Sequence, residues 1–402
     1  MLETPTPRRT RRARGPVPVM SEEMLLASYR RRIASVPHTV VLQPTSFCNL
    51  DCAYCYLPDR DRRNTMPPDM AEAVARSVGE ITEAGPNRRV DVVWHAGEPL
   101  ALGRRRFAEL LEPFESLRQA GRVHHYVQTN ATLIDDAWCE FLTRHGFRIG
   151  VSIDGPAALN AQRVDRVGRP TFTRTLRGIT RLREAGIGFS VIAVVTADSI
   201  TRPETLLDFL VRLGCHTAGL NIEEAEGVNT IRRQPGRGPA TEFWRRTLAW
   251  SHRNPDVTIR ELARLGDHLG LVRTGRGTEW GQRLIDPIPT IAHNGDVVLL
   301  SPEFAGITAP RYGDFRAGNI REQSLAEILT RAHRLPYVRE FLTGLDRCQA
   351  ACGFFDFCRG AQAGNRYFEN GRLDTTETNH CRTSRQALIT ALSDTVREEH
   401  AA

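Results

Sequence analysis

Lysine is missing from this sequence: all 54 basic residues among its 402 are arginine. That excludes every chemistry built on a lysine imine, pyridoxal-phosphate catalysis included. Long apolar runs are missing too, so no membrane span is expected. The stretch after the N-terminal arginine pairs, "GPVPVMSEEMLLASYRRR", is too polar for the core of a secretory signal. A formal net charge of +7 would ordinarily raise nucleic acid as a partner. With arginine in place of lysine throughout, the excess reads as a compositional habit, and part of it lies in the arm "MLETPTPRRTRRAR"; no nucleic-acid partner is expected. With no export signal the reading places the protein in the cytoplasm. There its nine cysteines are metal ligands, catalytic thiols or core residues rather than disulfides.

What is present is a repeat of apolar runs and amphipathic stretches, 41% hydrophobic overall, in a chain long enough for two modules. Strands are predicted at 38–44, 88–97, 123–130, 148–154, 188–196 and 217–222. Helices are predicted between them at 68–84, 104–120, 135–145, 171–185 and 202–213. Alternating β and α units imply a parallel sheet with helices outside it, and six units are too few for a closed eight-stranded barrel. The expected fold is therefore α/β, a partial (β/α)6 barrel with a C-terminal cysteine-rich extension. The domains would be a basic arm and helix over 1–37, the barrel over 38–222, a linker with helices over 223–286, and the extension over 287–402. The last would open on a hairpin in "AHNGDVVLLSPE", with Asn-Gly at its turn, and close on a helix over 383–398.

Cys48, Cys52 and Cys55, spaced C-x3-C-x2-C in "SFCNLDCAYCYLP", fall on the loop after the first strand. A structural zinc site closes with four ligands and only three are local; a thiol-redox pair needs two. Three thiolates with an open fourth corner suit a [4Fe–4S] cluster that keeps one iron for a small-molecule ligand. The segment resembles the radical S-adenosylmethionine (SAM) superfamily, whose motif is matched by Cys48, Cys52, Tyr54 and Cys55. The resemblance implies that the open iron chelates SAM, which one electron cleaves to a 5′-deoxyadenosyl radical. "HAGEP" (95–99) is similar to the family's G-G-E-P, with Gly97, Glu98 and Pro99 kept and Ala96 in place of the first glycine. "QTNAT" with Gln128 and Asn130, "SIDGP" with Ser152 and Asp154, and Arg163 in "NAQRVDRVGRPTF" complete the implied cofactor contacts. These motifs fall at the C-terminal ends of successive strands, the end at which parallel sheets place ligands.

A second group, Cys348, Cys352, Cys358 and Cys381, can close one site by itself, a zinc ion being the bland occupant. The region resembles the SPASM extension of peptide-modifying radical enzymes, which usually carries two auxiliary [4Fe–4S] clusters. Here Gln362 stands where the pattern has a cysteine, and Leu300 and Ser301 stand where the hairpin would supply another. The resemblance therefore implies one auxiliary cluster, two clusters in all. "RYFENG" and "TTETNHC" look most like cyclophane-forming (FxsB-type) maturases, which join an aromatic ring carbon to a nearby β-carbon. That implies a ribosomal precursor peptide as substrate and a small reductant such as flavodoxin or ferredoxin. Glu303, Asp296 and Glu223 are the candidate proton acceptors. Thioether formation, epimerisation and formylglycine formation are alternatives on the same scaffold; a protein with purely structural or electron-carrying metals is the non-enzymatic one. Cys139 reads as a core residue, while Cys215, just before the sixth strand, is a candidate to reach the barrel mouth.

Overall fold

The computed structural model describes residues 21–85, 88–229 and 232–401. Its centre is a sheet of ten strands in the order β10-β9-β8-β1-β2-β3-β4-β5-β6-β7. β1 (Thr39–Leu42), β2 (Val90–Trp94), β3 (Val123–Thr129), β4 (Arg148–Ser152), β5 (Phe189–Val195) and β6 (Thr217–Ile222) are the six expected strands, paired in parallel and in sequence order. Burial alternates along β2, β3 and β5, as a sheet with two unlike faces requires. Helices Pro68–Glu83, Asp136–Arg144, Phe172–Glu184 and Pro203–Leu213 lie between the strands as predicted. Their apolar residues join the core built on Trp94, Phe107, Leu142, Leu182 and Leu210. The 104–120 stretch is instead broken into two helices and a 3-10 turn over Glu112–Phe114. Pro113 sits in that turn, where it cannot donate to a continuing helix.

The sheet also extends past both ends of the six-strand plan. β7 (Thr258–Ile259) adds a seventh parallel strand beside β6. At the other edge β8 (Thr290–Ile291) runs parallel to β1, then turns into β9 (Asp296–Val298), which pairs with β10 (Gly318–Asn319). The C-terminal hairpin is thus continuous with the main sheet. A helix unforeseen in the sequence, Pro336–Ala351, carries Cys348 in its last turn. The closing helix, Ala387–Ala401, follows a π-helical turn at Cys381–Gln386. Trp244 Nε1 donates to Thr383 O (2.8 Å), fastening helix Arg237–Arg253 to that turn. Among the described residues no helix is long and apolar enough to cross a membrane.

Candidate active site

The loop after β1 is held by its own backbone. Cys48 N donates to Arg60 O (2.9 Å), Asp51 N to Val164 O (2.8 Å), and Ala53 N to Gln162 O (3.0 Å). Arg60 closes the turn by an ion pair with Asp51 (2.7 Å). These bonds stitch the cysteine loop to the segment carrying Arg163. All three thiols face one cavity of about 260 Å³ at the C-terminal ends of the strands. Burial is the main force raising their pKa, that of Cys52 to about 11, with Cys48 also pushed up by nearby Glu98. Three recessed thiols that resist ionisation alone, grouped on one wall, are a donor set that a bound cation would convert to thiolates.

The neighbouring strand ends supply the rest of that wall. Gly97 (φ +70°) passes so close to the cysteine loop that a Cβ there would meet Thr45 O at 2.5 Å and Phe47 O at 2.7 Å. Glu98 N donates to Phe47 O (2.8 Å). The Glu98 carboxylate is buried and accepts from Leu100 N (3.1 Å), Thr129 Oγ1 (2.8 Å) and Asn130 N (2.8 Å). Burial nonetheless lifts its pKa. Gln128 Nε2 donates to Ser152 Oγ (2.8 Å), and Asn130 Nδ2 to Asn49 Oδ1 (2.9 Å). Arg163 donates to the Tyr54 hydroxyl (2.6 Å), which donates to Asp154 (2.5 Å), so a buried cation is tethered behind the cysteines. Cys48, Cys52, Cys55, Tyr54, Gly97, Glu98, Gln128, Asn130, Ser152 and Arg163 all line the cavity. Pro99 and Asp154 stand behind it, Pro99 opening a 3-10 turn and Asp154 anchoring Tyr54 and accepting from Val194 N (3.0 Å).

The three proton-acceptor candidates separate. Glu223 and Glu303 line the cavity. Asp296 does not: the first residue of β9, it turns outward to Arg316 (2.7 Å), Asn294 (2.8 Å) and Asn319 (3.0 Å). Cys215 is likewise misjudged. It sits at the N-terminal end of β6, away from the cavity, and its thiol donates to Thr217 O (2.9 Å). Cys139 is buried in helix Asp136–Arg144.

Cys348, Cys352, Cys358 and Cys381 line a second, smaller pocket with Phe354, Phe355 and Thr376. Behind it lies Arg366, 2% exposed. Its guanidinium donates to Gly360 O (2.7 Å), Thr375 O (2.6 Å), Leu373 O (3.2 Å) and Cys348 Sγ (3.2 Å). Among the described residues no carboxylate lies within 4 Å of it, although a buried cation ordinarily needs an anion. Four thiolates would supply that charge, so this pocket fits a fully ligated metal cluster.

Comparison with known proteins fits this geometry. Residues 42–210 match the family model described as the radical SAM superfamily. An uncharacterised protein of Synechocystis sp. is 32% identical over 356 residues, 85% of this chain and 88% of that protein. The chain belongs to the radical SAM superfamily. This radical SAM protein is also 36% identical over 197 residues to the serine-type anaerobic sulfatase-maturating enzyme of Klebsiella aerogenes. That match covers 48% of each, so the chain spans about half the length of this relative. Among solved structures, anSMEcpe with bound AdoMet and Cp18Cys peptide superposes with a TM-score of 0.71 at 18% identity, covering 90% of this chain and 99% of that one. Streptococcus suis SuiB bound to precursor peptide SuiA gives 0.62 at 20%, covering 87% and 77%. At such identities the likeness is one of fold. The family's cofactors, SAM and an iron–sulfur cluster, suit the three-thiol wall, and an auxiliary cluster suits the four-thiol pocket.

The radical SAM cavity includes residues that the sequence did not single out. His95 Nε2 lies 3.2 Å from Tyr56 OH, and burial lowers its pKa to about 4, so it is neutral at pH 7. Glu224 and Glu226, on the chain leaving β6, complete an acidic part of the cavity lining. The "EEAEG" run was visible as a linker, but nothing in it told which carboxylates turn inward. Arg366 was equally hidden inside "GNRYFENG".

Proposed function

We infer that this protein is a radical SAM maturase of a ribosomally made peptide, joining an aromatic ring carbon to the β-carbon of a nearby residue. The observation that carries the reading is one cavity lined by three thiols and by the carboxylates of Glu98, Glu223, Glu224, Glu226 and Glu303, backed by a separate four-thiol pocket. When bound, SAM and the open cluster supply a hydrogen-abstracting 5′-deoxyadenosyl radical, and the auxiliary cluster supplies an electron acceptor. Cys48, Cys52 and Cys55 would hold the first cluster; Cys348, Cys352, Cys358 and Cys381 the second. Arg163, positioned by Tyr54 and Asp154, and the strand-end groups Glu98, Gln128, Asn130 and Ser152 would orient SAM. Gly97 and Pro99 would shape the turn beside it.

Joining the two carbons removes two hydrogens from the peptide, one as an atom and the other as a proton and an electron. The proton is the part this chain's side chains must take. Glu303 is suited to it: it lines the cavity, Ser301 Oγ donates to it (2.5 Å), and burial raises its pKa. Glu223 is the second candidate, already paired with Arg232 (2.6 Å). A second reading, oxidation of a serine or cysteine in a protein substrate, draws support from similarity to the Klebsiella enzyme. A small cytoplasmic reductant such as flavodoxin or ferredoxin would serve either.

Iron and acid-labile sulfide after anaerobic reconstitution test the reading, beside a variant with Cys48, Cys52 and Cys55 all changed to Ala. About eight irons in the parent and about four in the variant are expected. Reduction with dithionite and SAM should release 5′-deoxyadenosine from the parent alone. No iron in either protein, or no SAM cleavage by a fully loaded parent, would refute it.

A further inference from the structure

The cavity has two unlike walls. Thiols, Arg163 and strand-end amides form one; Glu223, Glu224 and Glu226 on the exit from β6, with Glu303, form the other. Within the protein the second wall is only partly balanced. Glu223 Oε1 takes Arg232 (2.6 Å), and Glu224 faces His380 (3.0 Å) and accepts from Asn365. Glu226 accepts from Asn365 Nδ2 (3.0 Å) and has no cation within 4 Å among the described residues. The other oxygen of Glu223 stands apart. Glu223 is 3% exposed and lines the cavity, yet its Oε2 meets no donor among the described residues. Buried acceptors in native proteins are almost always satisfied, and one left bare is destabilising. Glu98, the remaining carboxylate of the cavity, is already filled by three donors.

We propose that Glu223 Oε2 and Glu226 receive a cationic side chain of the substrate peptide, a guanidinium or an ammonium. This rests on the peptide-modifying reading above and names the substrate chemistry it selects. A cation supplies the donor that Glu223 Oε2 lacks and the charge that Glu226 lacks. A neutral aliphatic residue would leave Glu223 Oε2 without a donor and Glu226 without a counter-charge, and an acidic one would add a further carboxylate to an acidic lining. Burial, with Glu224 and Glu303 beside it, holds the Glu226 carboxyl well above the usual carboxylate range, and an arriving cation would draw it back down and favour the carboxylate. The wall is also anchored to the cluster loop, since Val228 N donates to Tyr56 O (3.0 Å). The cation is thereby fixed relative to the reacting centre, so it would set which residue of the peptide is presented.

The test is calorimetric titration of the reconstituted full-length protein, with SAM present, by two capped tripeptides. One is acetyl-Gly-Arg-Gly-amide; the other carries citrulline, which keeps the shape of arginine without its charge. The arginine peptide should bind at least about tenfold more tightly, and Glu226→Gln should cut that preference to about twofold or less. Equal binding of the two peptides by the unaltered protein, no binding of either, or a preference that survives Glu226→Gln in a variant folded by circular dichroism would overturn the proposal. SAM cleavage by the unaltered protein without peptide is measured in the same preparation. Its absence overturns the underlying reading, whereas cleavage without an arginine preference overturns the cation site alone.

Discussion

Replacing Arg366 by methionine isolates what holds the four-cysteine pocket together. The guanidinium spans three carbonyls, of Gly360, Leu373 and Thr375, besides the thiol of Cys348. It fits because residue 344 is glycine: a Cβ there would meet Arg366 Nη1 at 2.0 Å and Leu373 O at 2.4 Å. Methionine fills similar space but donates nothing. Three carbonyls left without donors at roughly 1.5 kcal/mol each give about 4–5 kcal/mol, in the range found when one partner of a buried charged pair is removed. The loss falls on the segments bearing Cys348 and Cys358 rather than on the sheet. The expected result is a folded protein whose iron drops from about eight to about four per chain. Arg366→Lys should fall between, because one ammonium nitrogen cannot reach around the same arc of acceptors. Iron and sulfide analysis with thermal unfolding by circular dichroism checks this. Full iron and an unchanged melting temperature in Arg366→Met would refute the assignment, because the buried cation would then be organising nothing.

Gly97→Ala should weaken SAM binding by more than about tenfold, since the new Cβ meets two backbone oxygens at a positive φ and the strain and clash together cost about 2–3 kcal/mol; an unchanged Kd for SAM would contradict the packing of that turn against the cysteine loop. Stability should fall with acid through His125, whose Nδ1 accepts from Trp94 Nε1 (3.1 Å) and whose pKa burial depresses to about 3. Because the unfolded value is about 6.5, the neutral ring's contribution is fully present above that pH and is lost as pH falls toward 3, by up to about 1.4 kcal/mol per pH unit. Buried His95 adds the same sign. Urea titrations between pH 6.5 and 5 should show this slope, and His125→Gln, which keeps an acceptor without the titrating proton, should reduce it to the part that His95 contributes. Cys215→Ala, at the opposite end of β6, should leave the iron count untouched; a loss of iron would mean that the thiol is a ligand after all.

How much of this could be read beforehand depended on the range of the determining forces. The six central strands and most of their helices announce themselves because apolar periodicity is local. The cysteine loop does so because three ligands fall within eight residues. β7 and β8 carry no such pattern: two residues each, Thr258–Ile259 and Thr290–Ile291, they are strands only because β6 and β1 offer unpaired edges. The same limit separates Asp296 from Glu303. Asp296 opens β9 and Glu303 follows it by seven residues, yet one turns to a surface arginine and the other into the cavity, and only the packing of distant segments decides which.

Arginine makes the clearest case. In a chain without lysine, the cation at 366 carries no more information than any of the other 53, and Arg163 stands out only through the motif around it, although both are almost wholly buried beside the two cysteine groups. Their surroundings differ in a way that matches the two sites. Arg163 has a carboxylate, Asp154, at 3.7 Å, so its charge is partly met before anything binds. Arg366 has none within 4 Å among the described residues, and it donates to Cys348 Sγ at 3.2 Å. A pocket closed by four thiolates carries a standing negative charge that can serve as that counter-ion. A site with three thiolates and an exchangeable cofactor must keep its arginine in place when the cofactor has left. The tether through Tyr54 to Asp154 does that, and a fully ligated pocket has no need of one.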